Sequence, residues 1–172
     1  MRKTLIVIDM QNDFIDGALG TKEAQAIVPN VKRKIEEYRA RGDDVVFTKD
    51  THYANYLDTK EGKHLPVEHC LDGTNGWLIS DELWRDDCPV VCKETFGYIF
   101  WNMYFQFEDV EEITLVGLCT DICVVSNALI LKAMFPEIEI TVDASCCAGV
   151  TPDSHKAALA TMKMCQINVI GE

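Results

Sequence analysis

The sequence predicts a three-layer α/β/α sandwich, Rossmann-like, built on a six-stranded and mostly parallel sheet. Two observations carry this. Six short apolar runs rich in β-branched residues recur along the 172 residues, and helical segments separate several of them. Within each run apolarity is continuous and does not alternate, which marks strands covered on both faces and so parallel pairing. The length is that of one domain, taken as residues 1–172, and strand–helix alternation within one domain requires right-handed crossovers.

The first strand is read over residues 4–9. Met1, Arg2 and Lys3 before it give it a superficial likeness to a signal peptide, but its apolar core is short and ends at Asp9. No small-residue cleavage site follows, so a buried strand is the better reading. Ile27, Val31, Ile35 and Tyr38 then recur at helical spacing up to Gly42, a natural C-cap. The second strand spans 44–49. Residues 50–80 break the rhythm as a long polar connection containing glycine and histidine, and a loop of that length in a compact domain is usually functional. Strands at 89–93 and 113–118 follow, then a helix over 121–135 ended by Pro136. A strand at 138–142 leads to a helix with Thr151 as N-cap and Pro152 at its first position, running to about Cys165. The last strand is 167–170.

Composition excludes several classes of function. A formal net charge of −12 argues against nucleic acid or an anionic membrane surface as a partner. No apolar run approaches the ~18–20 residues of a membrane span. The eight cysteines contain no Cys-x-x-Cys pair, and neither Cys-x-x-x-Cys spacing (88/92 and 119/123) has a matching second half. A zinc knuckle and a secreted disulfide framework are both disfavoured, and reduced thiols in the cytoplasm are expected.

Ligands of an open parallel sheet bind beyond the carboxyl ends of its strands. Asp9, Asp50, Lys93 and Cys123 each stand at or just past such an end. Singly, each has a bland reading: a turn cap, a loop start, a solvated strand end, a packed thiol. Together at one rim they make a constellation. Cys123 falls in the first turn of a helix, where free N–H groups and the macrodipole favour the nucleophilic thiolate. Asp9, after a wholly apolar run, is placed to serve as proton acceptor and donor, and Lys93 supplies a compensating positive charge. No histidine is placed for an ordinary Cys–His pair, and His155 is read as a solvated or N-terminal-turn residue of the last helix.

An apolar strand ending Asp9-Met10-Gln11-Asn12-Asp13-Phe14, a lysine after the third strand, and Gly117-x-x-Thr120-Asp121-x-Cys123-Val124 together resemble the isochorismatase-like cysteine hydrolases. The resemblance spans nearly the whole chain. It implies a triad of Asp9, Lys93 and Cys123, a cis peptide before Cys119, an oxyanion hole from the backbone N–H groups of Cys119 and Cys123, and a homo-oligomer. Asp50-Thr51-His52 and the later His69-Cys70 are similar to the nicotinamidase branch, which implies a divalent ion, zinc before iron or manganese, held by Asp50, His52 and His69. Phe14 and Leu19 are expected to contact substrate. There are departures. Leu65-Pro66 replaces the family's usual Trp-Pro, which makes His64 a rival ligand, and the segment after Lys93 lacks the expected serine, so the substrate pocket is expected to differ. The activity implied is hydrolysis of a small planar amide to its acid and ammonia. A carbamoyl or ureido substrate is the alternative, and a catalytically silent scaffold would have no use for all three triad residues.

Overall fold

The computed structural model describes residues 2–105 and 110–172. Strands β1 (Arg2–Ile8), β2 (Asp44–Asp50), β3 (Val90–Lys93), β4 (Val110–Leu118), β5 (Glu139–Ala148) and β6 (Asn168–Ile170) form one sheet in the order β3-β2-β1-β4-β5-β6. Every pairing in it is parallel. The helices are α1 (Asn12–Ile15), α2 (Lys22–Arg41), α3 (Lys60–His64), α4 (Trp101–Tyr104), α5 (Val125–Met134) and α6 (Pro152–Met164).

The period of two along β1 divides the core. Leu5 and Val7 face Ile27, Val31 and Ile35 of α2, while Ile6 and Ile8 face Val124, Ala128 and Leu131 of the α5 segment and Leu159 and Met162 of α6. Burial on both faces is why the strands read as unbroken apolar runs. α2 starts where Thr21 accepts a hydrogen bond from the N–H of Ala24 and stops at Gly42 with φ +76°. Thr151 caps α6 and Pro152 opens it, as expected.

The structure departs from expectation in three places. β5 continues to Ala148 through Asp143 and Ser145, which had appeared to end it. A register shift in β4 between Leu115 and Gly117 lets pairing resume at Gly117–Cys147. Asp143 is satisfied by Lys34 at 2.8 Å and by the hydroxyl of Ser145 at 2.6 Å, so its polarity costs the strand little. Second, α1 and α4 are four-residue helices too short to show periodicity. Third, the predicted 121–135 helix opens as a π-helical turn, Thr120–Val124, before α5 begins. Among the described residues all eight cysteines are free, and no helix is long and apolar enough to cross a membrane.

Gly117 stands opposite Ile8 in the β1–β4 ladder with φ +121°. A Cβ there would collide with the Ile8 carbonyl oxygen. Gly117→Ala is therefore expected to lose at least ~2 kcal/mol of stability, from the positive φ and the clash together. Denaturant titration checks this, with a midpoint lowered at unchanged slope as the expected result.

Candidate active site

Four strand ends converge at one edge of the sheet. Asp9 follows β1 in the left-handed region, φ +47°, a strained conformation held only where the surroundings enforce it. Its N–H donates to Thr48 Oγ1 at 3.1 Å, and the Thr48 hydroxyl donates to Asp9 Oδ1 at 2.5 Å. Lys93, the last residue of β3, reaches back so that Nζ lies 2.6 Å from Asp9 Oδ2, 3.3 Å from Asp50 Oδ1 and 3.5 Å from Cys123 Sγ. One buried ammonium thus touches both carboxylates and the thiol.

The electrostatics follow from burial. Burial pushes the Cys123 thiol well above its ordinary range, and the Asp9 charge adds to this while Lys93 opposes it. Burial also raises the Asp9 carboxyl, against the pull of Lys93. For Lys93 burial favours the neutral amine, yet Asp9, Cys123 and Asp50 hold it charged. Against the favourable helix N-terminus expected from the sequence, burial and Asp9 thus push the thiol toward its protonated form, and the nearby Lys93 ammonium pulls the other way.

The turn carrying Cys123 is fixed from several sides. The Leu118–Cys119 peptide is cis. The Cys119 carbonyl accepts from the N–H groups of Ile122 (3.1 Å) and Val124 (3.0 Å). Asn127, fully buried, donates to the carbonyls of Cys123 and Phe96 and accepts from Tyr98 N–H and Trp101 Nε1. His155 stands in the first turn of α6, one of the two positions expected for it. It is half-buried, with Nδ1 2.7 Å from the hydroxyl of fully buried Thr120.

Beside Lys93, Asp50, His52 and His69 come together with a residue the sequence reading missed, Glu61. One ligand atom from each of the four lies within 4.8 Å of the others. His52 Nε2 is 2.9 Å from Asp50 Oδ2 and 3.5 Å from Glu61 Oε1. His69 Nδ1 donates to the Val67 carbonyl at 2.8 Å, which leaves Nε2 facing the cluster, 3.7 Å from Asp50 Oδ2. Gln11, also missed, holds Asp50 in place by bonding its backbone N–H (2.7 Å) and carbonyl (2.8 Å). Two carboxylates and two imidazole nitrogens, one ring oriented by the Val67 carbonyl, fit a divalent cation. Burial raises the Glu61 carboxyl and Asp50 adds to it, whereas Asp50 itself is held low, against its own burial, by His52, His69 and Lys93. His64 is exposed at the end of α3 and lies outside the cluster, so Glu61 takes the place that the rival histidine was thought to fill. Glu61 carried no motif in the sequence. Only the short α3, capped by Thr59, turns it inward.

A cavity of about 690 Å³ opens over both groups, with Cys119, Cys123, Asp50 and His69 in its wall. Phe14 and Leu19 also line it, and the Phe14 ring stands 5.5 Å from that of His69.

A model of the isochorismatase domain matches residues 3–171. A nicotinamidase/pyrazinamidase of Mycobacterium tuberculosis is 27% identical over 191 residues, 98% of each chain. A protein of Arabidopsis thaliana described as a probable inactive nicotinamidase is 29% identical over 175 residues, 92% of this chain and 87% of its own. The solved structure of a pyrazinamidase of Pyrococcus horikoshii in complex with zinc superposes with a TM-score of 0.86 at 26% identity, over 100% of both chains.

Proposed function

Because the chain belongs to the isochorismatase domain family, we propose that it is a cysteine-dependent amidohydrolase of the nicotinamidase type, converting a planar amide to its acid and ammonia. The observation that carries this reading is the contact of Lys93 Nζ with both Asp9 and Cys123, beside the floor of an apolar cavity. The Arabidopsis relative is described as inactive, but an assembled thiol, carboxylate and ammonium speaks for chemistry here.

In this mechanism Asp9 takes the thiol proton as Cys123 Sγ attacks the amide carbonyl. The backbone N–H groups of Cys119 and Cys123 stabilise the tetrahedral oxyanion. Collapse breaks the C–N bond, and Asp9 returns its proton to the leaving nitrogen as ammonia departs. A water, deprotonated by Asp9, then cleaves the thioester to give the acid and regenerate the thiol. Lys93 stays charged throughout and offsets whichever of the two groups is anionic. The test is ammonia release from nicotinamide, pyrazinamide, N-carbamoyl compounds and ureido acids. Release from the ureido or carbamoyl compounds alone would replace the amide reading, and release from none would remove it. Eight free thiols support a reducing, cytoplasmic setting, and exposed Ile99, Phe100 and Met103 support a homo-oligomer.

Asp50, His52, Glu61 and His69 would hold the divalent ion, zinc ahead of iron or manganese, and Phe14 and Leu19 would contact the substrate. A bound ion would supply a Lewis-acid contact for a ring nitrogen of the amide. Since Asp50 also touches Lys93, the ion site and the triad share a carboxylate and are less separate than their spacing in sequence suggested. Protein purified without chelator is expected to carry about one equivalent of metal, and the His52→Ala, His69→Ala double variant almost none. Equal, negligible metal in both would remove the site.

A further inference from the structure

We infer that the substrate is a primary carboxamide whose acyl group is apolar and larger than a single heteroaromatic ring. This deepens the amidase reading and rests on it. The cavity volume of about 690 Å³ falls in the range of sites that enclose drug-sized ligands. A one-ring amide of about nine non-hydrogen atoms fills no more than ~270 Å³ even when each atom is allotted the ~30 Å³ that a water occupies in the liquid. More than half of the space is left for something else.

The position of that space follows from the sheet order. The Asp50 cluster lies at the end of β2, Cys123 follows β4, and Gly149 and Val150 follow β5, with β1 between the first two. Adjacent strands lie ~4.8 Å apart, so the cavity spans about 14 Å of rim, and its last third extends past the nucleophile. Leu19, Ala24, Ile122 and Val150 contribute to its wall and are all apolar. Leu65, Phe96 and Val150, also in the wall, are 39%, 45% and 52% exposed, so large apolar side chains face solvent at the mouth. A bulky apolar acyl group seated there would cover them.

The side of the amide that bears this bulk is decided by burial. The leaving nitrogen must reach Asp9, whose side chain is 0% exposed and whose partner Lys93 is 1% exposed. Neither residue is part of the cavity wall. The nitrogen therefore points into a closed floor with no room for a substituent, and the extra mass belongs to the acyl side.

The test compares nicotinamide with isoquinoline-4-carboxamide, which keeps the amide and its meta ring nitrogen and adds a fused ring on the edge away from that nitrogen. Calorimetry on Cys123→Ala is expected to give at least tenfold tighter binding of the bicyclic amide, and wild-type kcat/KM should favour it by the same factor. Tenfold is a floor, since a single methylene in a fitted apolar pocket already discriminates 10- to 200-fold. Val150→Trp, which fills the far end, should reduce the preference below threefold. Equal or weaker binding of the bicyclic amide, or its exclusion from turnover while nicotinamide is hydrolysed, would overturn the inference and leave the amidase reading intact. A binding preference without ammonia from either compound would retain the large apolar ligand and remove the amidase reading.

Discussion

Cys123→Ala is expected to lower hydrolysis by roughly four orders of magnitude or more, the scale seen when a covalent nucleophile is removed from a concerted site. The loss should appear in kcat, because the thiol forms the bond that defines the acyl intermediate and contributes little to ground-state binding. The fold should survive. Cys123 is 4% exposed and packs against the α5 face of the sheet, so removing one sulfur leaves a small cavity worth ~1–2 kcal/mol. Cys119→Ala is the informative partner experiment. Its thiol lines the same cavity, but the role proposed for it lies in the backbone N–H, which alanine retains. Activity in that variant should stay within about tenfold of wild type. Equal losses in the two variants would mean that the nucleophile has been chosen between them without grounds. Substantial turnover by Cys123→Ala would end the covalent mechanism.

The second large effect is expected at the charge network. Asp9→Asn should abolish turnover almost completely, by about 10³-fold or more, since Asp9 is the group assigned to accept and return the proton. Lys93→Met separates the lysine's electrostatic role from bond making. The thiol is pushed up by burial and by Asp9 and pulled down by Lys93. Removing the ammonium leaves only the upward influences, so the pH at which iodoacetamide labelling accelerates should rise and labelling at neutral pH should slow. Asp9 should follow in the same direction and take up a proton, which relieves what would otherwise be a buried carboxylate with no cation beside it, whereas Asp50 keeps His52 and His69. That relief lets the variant fold, and circular dichroism alongside the labelling would verify it. Unchanged labelling kinetics would reduce Lys93 to a strand-end lysine that happens to lie nearby.

Much of the molecule is legible in its sequence. Continuous apolar runs named the six strands and their parallel sense because burial on both faces leaves no polar alternation, and Gly42, Thr151 and Pro152 marked helix ends by local backbone chemistry. Strand-end positions placed Asp9, Asp50, Lys93 and Cys123 at one rim, since the ends of parallel strands are forced to lie side by side. Asp50-Thr51-His52 was readable as a ligand pair only through its resemblance to the nicotinamidase branch.

What the sequence could not decide depends on distance in space. Glu61 joins Asp50, His52 and His69 only because α3 turns it toward them, while His64, three residues on in the same helix, is exposed. His155 meets Thr120 across two elements 35 residues apart. The surroundings of the thiol are the clearest case. Its place at the start of a helix argued for thiolate, but burial together with Asp9 and Asp50 pushes it the other way, opposed by Lys93 from another strand. A chain's local pattern determines backbone form and which residues reach an edge. The solvent exclusion and charge crowding that set their chemistry arise only when distant segments close around them.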